Sequence, residues 1–269
     1  MLQRLRVCVF VALSLGAQAG PAAAQGATPP LPVLVMLAGG GARARNIHLE
    51  VGDGERGTAE RTFETGLYFD FGWHLLVRPM GRRAKSPALQ ALVLQMDGGA
   101  GIGLQAEPAG SGISLWVRSW RLLGQLGYLY PLGRLQVGGL VGVGADVLRI
   151  ASNRVLTSSR LVYVRVGPAA TYDWVPSFLV LRLDLGIRVP FVFGELQDAF
   201  GRDSSGVGLD AAATIGGRLD RGFTYALRFV WAYYRLRFAG PVMNVPAMAE
   251  GGRGNDHALT LQVLIGWSL

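Results

Sequence analysis

The sequence predicts an all-β chain closed into an antiparallel up-and-down transmembrane β-barrel of ten strands, with eight and twelve as the alternative counts. Three observations carry that expectation. Half of the 269 residues are apolar and 16% are charged, the reverse of the balance that keeps a chain disordered. Beyond the amino-terminal segment, no charge-free aliphatic stretch reaches the roughly 18–20 residues that a spanning helix needs. The apolar residues alternate instead. From Leu179 to Phe193 every odd position is apolar, while the even positions include Arg182, Asp184, Gly186 and Arg188. A period of two is the mark of a strand with one apolar and one polar face.

The elements follow in order along the chain. Residues 1–24 have the form of an export signal. Arg4 and Arg6 precede a short apolar run from Val7 to Gly16, and Ala22, Ala23 and Ala24 supply the small residues of a cleavage site. The single cysteine, Cys8, lies inside that signal, so no disulfide is expected in the mature chain. Residues 25–33 form a short periplasmic segment, and residues 34–269 form the barrel. Ten alternating segments are expected at about 34–51, 62–77, 88–105, 113–130, 135–150, 160–172, 177–193, 206–218, 222–238 and 257–269. The second, ninth and tenth are as regular as the seventh: Leu67, Phe69 and Phe71 against Tyr68, Asp70 and Gly72; Leu227, Phe229 and Trp231 against Ala226 and Arg228; Leu259, Leu261 and Val263 against Thr260 and Gln262. The first and fourth keep their phase least well.

A β-sandwich and a lipocalin-like barrel are the soluble competitors. Soluble strands average about 5–6 residues, far shorter than these. The polar face here is mostly Gly and Ala with isolated Arg and Asp, which suits a crowded barrel interior better than a solvated surface. The 39 glycines, roughly double the ordinary share, follow no collagen period. Glycine clusters at 98–103 and 138–144 lack the Lys-Ser/Thr ending of a phosphate loop, so they predict small residues on the inward side of curved strands.

The expected connections alternate in length. Pro131–Arg134, Asp173–Pro176 and Leu219–Arg221 are short, whereas Gly194–Ser205 and Ala239–Asp256 are long. Arg78–Pro87, which carries Arg82, Arg83 and Lys85, is a longer turn at the short-turn end. With the amino terminus in the periplasm, every other long connection falls outside. On this pattern the chain resembles bacterial outer-membrane β-barrel proteins. The sharpest part is the final strand, with apolar residues at every second position from Leu259 to Leu269. The family usually ends in Phe or Trp; here Leu269 is last and Trp267 stands two before it. The resemblance implies a monomer in the bacterial outer membrane, recognised by the barrel-assembly machinery through residues 259–269. Trp73, Trp120, Tyr128, Tyr130, Tyr172 and Trp267 fit aromatic girdles at the two interfaces.

A ten-stranded barrel is only slightly wider than the eight-stranded kind that its own side chains fill, so a packed polar lumen is expected. If Tyr172 faces Ser177, Arg165 lies opposite Asp184; across a Tyr130–Leu135 hairpin, Arg121 lies diagonal to Asp146. Both predict cross-strand ion pairs. Asp70 and Asp97 come out opposite or diagonal with His74 one step along, and Arg43 and Arg45 on the first strand are placed to neutralise them.

The formal charge of +8 falls by two, to +6, when Arg4 and Arg6 leave with the signal. An exported barrel does not meet nucleic acid; its basic partner is the membrane lipid, including anionic head groups, near Arg154, Arg160, Arg202, Arg235, Arg237 and Arg253. Catalytic signatures are lacking. Asp256 and His257 are adjacent and so point to opposite faces of a strand, unlike the Asp-x-His pair of omptin-type proteases. No histidine is followed two residues on by the serine that outer-membrane phospholipases use. Three histidines without a cysteine make a metal site unexpected, and no cofactor is implied. The expected role is structural, or that of a narrow passive pore. The alternatives are an adhesin acting through residues 194–206 and 239–256, and a hydrolase at Asp70, Asp97 and His74.

Overall fold

The computed structural model describes residues 32–51, 59–80, 86–106, 115–151, 157–176, 178–240 and 251–269. The segment expected as an export signal (1–24), residues 25–31 of the segment expected in the periplasm, Arg82, Arg83, Lys85, Arg154 and the tip of the last connection lie outside them.

Ten strands form: β1 (Leu34–Val51), β2 (Ala59–Val77), β3 (Leu92–Ala106), β4 (Leu115–Leu132), β5 (Leu135–Ile150), β6 (Ser159–Val175), β7 (Leu179–Val192), β8 (Asp203–Arg218), β9 (Phe223–Ala239) and β10 (Gly252–Ser268). Each pairs antiparallel with its neighbours in sequence, and β1 pairs with β10 to close the barrel. Their lengths run from 14 residues in β7 to 19 in β2. The end that carries Leu34, Ser268 and the short turns is called the turn end below, and the opposite one the loop end.

The alternation sets which way each side chain faces. In β7, Leu183, Leu185, Ile187, Val189 and Phe191 point outward at 44–55% exposure, while Asp184, Gly186, Arg188 and Pro190 are buried inside. In β10, Leu259, Leu261, Val263, Ile265 and Trp267 are exposed, while Thr260, Gln262, Leu264 and Ser268 are buried. The first strand keeps a single phase, with Leu37, Arg43, Arg45, Ile47 and Leu49 all buried at odd positions. The irregularity lies in β2, where a bulge shifts the β1–β2 register between Arg43 and Arg45. There the Thr65 hydroxyl accepts from the Arg45 backbone N–H at 2.7 Å and donates to its carbonyl at 3.1 Å. Across the bulge the phase of β2 reverses: Phe63 and Thr65 are buried, whereas Leu67 and Phe69 face outward.

Several expected boundaries move. Residues 88–90 belong to a one-turn helix, α1 (Pro87–Gln90), and β3 starts only at Leu92. β6 runs on to Val175 instead of ending at 172, so the expected Tyr172–Ser177 hairpin is replaced by a tighter one with Val175 opposite Leu179. β8 begins at Asp203 and β10 at Gly252, which removes the ends of both segments expected as long outer loops.

The loop end of the lumen is filled. A short helix, α2 (Glu195–Phe200), buries Leu196 and Phe200 inside the barrel mouth. Gly194 and Gly201 flank it at φ values of +59° and +130°, conformations open to glycine that turn the chain inward and out again. Phe200 and Phe193 pack on Phe238 with ring centroids 5.7 and 6.1 Å apart. Ile47, Leu49, Phe63, Leu161 and Leu236 complete this apolar plug.

The outward phase of β7 makes one expectation testable. In a bilayer, Leu183→Arg near mid-strand costs about 2–4 kcal/mol, whereas Val180→Thr, on the lumen face, costs under about 1 kcal/mol. Urea unfolding of vesicle-inserted barrel measures both, and equal costs would contradict the facing.

Candidate functional site

Below the plug the lumen is a polar core, with two smaller apolar clusters toward the turn end, Val93, Leu129, Leu140 and Ala169 on one side and Leu37, Ala226 and Leu264 on the other. Seven arginines meet six aspartates in it, with His74 as a further partner. Buried charges persist only when paired and hydrogen-bonded, and here the pairing runs through the whole cross-section.

Nearest the plug, Arg45 donates to both oxygens of Asp256 at 2.9 and 2.5 Å. Arg188 donates to Asp210 at 2.7 Å, to Asp146 at 3.0 Å and to the Tyr234 hydroxyl at 2.7 Å, and its guanidinium lies 4.6 Å from the Tyr163 ring centre. Arg165 donates to Asp210 through Nε at 2.9 Å and Nη2 at 2.7 Å. Arg165 and Arg188 stand directly opposite each other on β6 and β7, and Asp210 of β8 neutralises both. Further down, Arg121 grips Asp70 with two hydrogen bonds of 2.8 and 2.9 Å, Gln262 donates to the same carboxylate at 2.7 Å, and Arg43 stands 3.9 Å away. Next come Asp97, bonded to Arg228 and, at 2.7 Å, to His74, and Arg182, bonded to Asp184 at 2.9 Å.

Several sequence-based pairings are corrected here. Arg165 does not meet Asp184. The tighter β6–β7 turn places Asp184 opposite Ala169 and Arg165 opposite Arg188, so Asp184 pairs with Arg182 and Arg165 with Asp210. Arg121 is directly opposite Asp146, but it reaches back to Asp70 on β2, and Asp146 turns to Arg188 and Tyr234. Asp70 and Asp97 are not neighbours: Asp70 faces Gly101, and Asp97 faces His74. Arg43 does approach Asp70, whereas Arg45 serves Asp256. The structure therefore brings His74 and Asp97 together and parts Asp70 from both.

Arg182, Arg188, Asp210, Arg228, Tyr234, Asp256 and Gln262 were not named as site residues from the sequence. All lie on the inward phase of their strands, which is the signal that marks them. Their partners could not be counted across hairpins, because Arg228 of β9 reaches Asp97 of β3 across the lumen, and Arg182 of β7 reaches Gln95 of β3 at 2.5 Å. Glycines make room for these side chains. A Cβ at Gly99 would come within 2.7 Å of the Arg121 guanidinium carbon, and one at Gly186 within 2.6 Å of the Arg165 Nε.

Two spaces interrupt the filling. One of about 50 Å³ lies among Gln95, Arg121, Arg165, Asp184 and Arg188. A larger one, about 190 Å³, occupies the turn end between Leu37, His74, Leu76, Arg182, Arg228 and Leu264. Arg78, just past the end of β2, borders it. Its guanidinium donates to Gln136 at 2.8 Å; burial, with the nearby Arg182 adding to it, pulls its pKa down to about 10. Among the described residues, no group of three or more His, Cys, Asp and Glu could hold a metal ion.

Asp210 is the member on which two arginines depend. Asp210→Ala leaves both partly uncompensated and costs about 3–5 kcal/mol in chemical denaturation, while the exposed Asp203→Asn changes stability by no more than about 0.5 kcal/mol. A small effect at position 210 would mean that the ion pairs do not hold the lumen.

By sequence, the chain matches no family model and no curated protein. By structure it is similar to an outer membrane channel from Pseudomonas putida F1, at 13% identity and a TM-score of 0.41, over 91% of this chain and 100% of that one. It is also similar to the TodX monoaromatic hydrocarbon channel, at 8% identity and a TM-score of 0.29, over 87% and 90% of the two chains. A FadL homologue from Pseudomonas aeruginosa stands at 8% and 0.28, over 85% and 90%. Independently of these likenesses, an even number of antiparallel strands, a ladder without an edge, an apolar outside and a charged inside make this chain a β-barrel of the bacterial outer-membrane pattern.

Proposed function

We propose that the protein is an integral barrel of the bacterial outer membrane whose narrow lumen is a passive pore for small polar solutes, held shut on the loop side by the apolar plug. With the plug permanently in place, the role reduces to a structural one. The proposal includes export by a cleaved amino-terminal signal, assembly through the carboxy-terminal strand, and a monomeric state in contact with lipid.

The exterior supports the membrane location. Large apolar side chains on β2, β4, β7, β9 and β10 stand exposed, among them Phe69, Leu126, Ile187, Leu227 and Val263 at 45–60%. Water would leave that belt uncovered, whereas hydrocarbon covers it, and the closed ladder leaves no strand edge unpaired in lipid. Aromatic pairs such as Phe223 with Trp267, 5.9 Å apart at the turn end, suit an interface.

The observation that carries the pore is the contrast along the lumen axis. The middle is lined by ion-paired side chains, and several of their N–H groups, Arg45 Nη1, Arg165 Nη1 and Arg228 Nε among them, have no acceptor among the described residues. They are donors that a polar or anionic solute could use. The apolar plug, with α2 at its centre, fills the loop end, whereas the smaller apolar clusters toward the turn end leave a space of about 190 Å³. Two carboxylates in place of Leu196 and Phe200 should expel it from that dry setting.

Single-channel recording in planar bilayers tests this. Wild-type protein should give rare, small steps, and the Leu196→Asp/Phe200→Asp variant should raise open time at least tenfold. If neither protein gives steps, the lumen is not a path. Handling without detergent tests the membrane location: purified barrel should aggregate, and a monodisperse species in detergent-free buffer would refute it.

A further inference from the structure

Six arginines at the loop end stand on strands, point outward and are exposed: Arg118 on β4, Arg149 on β5, Arg160 on β6, Arg235 and Arg237 on β9, and Arg253 on β10. Two pairs among them are directly opposed across neighbouring strands, Arg118 with Arg149 and Arg237 with Arg253. Directly opposed side chains have Cβ atoms about 5 Å apart, and like charges so placed repel.

The lumen shows how this chain handles such a pair when no outside ion is at hand. Arg165 and Arg188 are also directly opposed, and Asp210 from the next strand bonds to both. Among the described residues the outward pairs have no such aspartate. The carboxylates that face outward on adjoining strands are Glu50, opposite Arg253 on β1, and Asp203 at the start of β8. Glu50 lies 3.5 Å from His48, and neither carboxylate forms an ion pair with these arginines among the described residues. Both pairs lie on the loop-end side of aromatic residues on their own strands. Trp120 lies two positions below Arg118, and the stacked Trp231 and Tyr233, 6.4 Å apart, lie directly below Arg235 on β9. At the turn end the outward strand positions carry Tyr128, Tyr130, Tyr172, Trp174 and Trp267 instead, with no opposed arginines among the described residues.

From this juxtaposition we infer that the two arginine pairs are clamps for lipid phosphate monoesters, each holding the head group of one phosphorylated lipid against the loop end of the barrel. A phosphate monoester brings close to two negative charges and three acceptor oxygens, enough to accept from both guanidinium forks at once. Arg235 extends the β9–β10 clamp and Arg160 the β5 side of the other. The β4–β5 and β9–β10 seams are five strands apart in either direction around the ten-stranded barrel, so the clamps lie on opposite sides and cannot share one lipid. The stoichiometry is two lipids per barrel. This inference rests on the membrane location above and on the loop end facing the phosphate-rich leaflet.

Native mass spectrometry of the full barrel in a non-ionic detergent, with diphosphoryl lipid A added, reads that number. Wild-type barrel should hold two lipids. Arg237→Gln/Arg253→Gln and Arg118→Gln/Arg149→Gln should each hold one, with at least tenfold weaker binding at the altered seam, and the combined variant should hold none. Fully dephosphorylated lipid A should not bind at these seams, and millimolar inorganic phosphate should not displace the lipid. Unchanged stoichiometry in the variants, or equal retention of dephosphorylated lipid, would overturn the clamps. Heat-modifiable migration on gels reports the folded barrel separately: its loss in wild-type protein would count against the membrane barrel itself, whereas variants that keep it and still bind two lipids count against the clamps alone.

Discussion

The closed hydrogen-bond ladder is the constraint on which everything else in this molecule depends. A strand edge in hydrocarbon leaves N–H and C=O groups without partners, at several kcal/mol each. Pairing β1 with β10 over seventeen aligned positions, from Val35 with Ser268 to Val51 with Gly252, removes the last such edge. Once the ladder is closed, each side chain has two destinations, outward or into a lumen of limited cross-section. The period of two then decides which residue goes where.

The narrowness of that lumen explains its chemistry. Arginine is long enough to span it, which is how Arg228 on β9 meets Asp97 on β3. Aspartate is short, and Asp210 and Asp70 serve as shared acceptors for more than one donor. Glycines beneath the guanidiniums supply the missing volume. Replacing such a network with apolar side chains could be as stable in isolation; under the proposed pore role, what a polar network adds is a set of donors and acceptors for a solute. The apolar plug at the loop end, built on Leu196, Phe200, Phe193 and Phe238, offers no such groups.

The outer surface divides the same way along the axis. Its middle is aliphatic, its turn end is aromatic, and its loop end carries outward strand arginines, Arg118, Arg149, Arg237 and Arg253 among them, without an ion-pair partner among the described residues. Inside the barrel an opposed arginine pair has an aspartate between its members, and outside it has none among the described residues. That difference points beyond the chain for the missing anion.

The strand number, the facing of β7, β9 and β10 and the inward position of Arg182, Arg188 and Arg228 were legible in the sequence, because the alternation of side chains along a strand is local and survives small errors in boundary. Pairing was not. Moving the β6–β7 turn from Tyr172–Ser177 to Val175–Leu179 carried Asp184 away from Arg165, and the Arg43–Arg45 bulge reversed the phase of β2 around Phe63. Contacts across the lumen, such as Arg182 with Gln95, join strands that no hairpin count connects, and the inward turn of Glu195–Phe200 follows from packing on residues from distant strands. Sequence alone thus determined a two-faced strand repeated ten times, since that depends only on nearest neighbours along the chain. Which charge neutralises which, and where the lumen is stopped, was decided by the tertiary structure, because closure brings together side chains far apart in sequence and only their three-dimensional reach selects the partner.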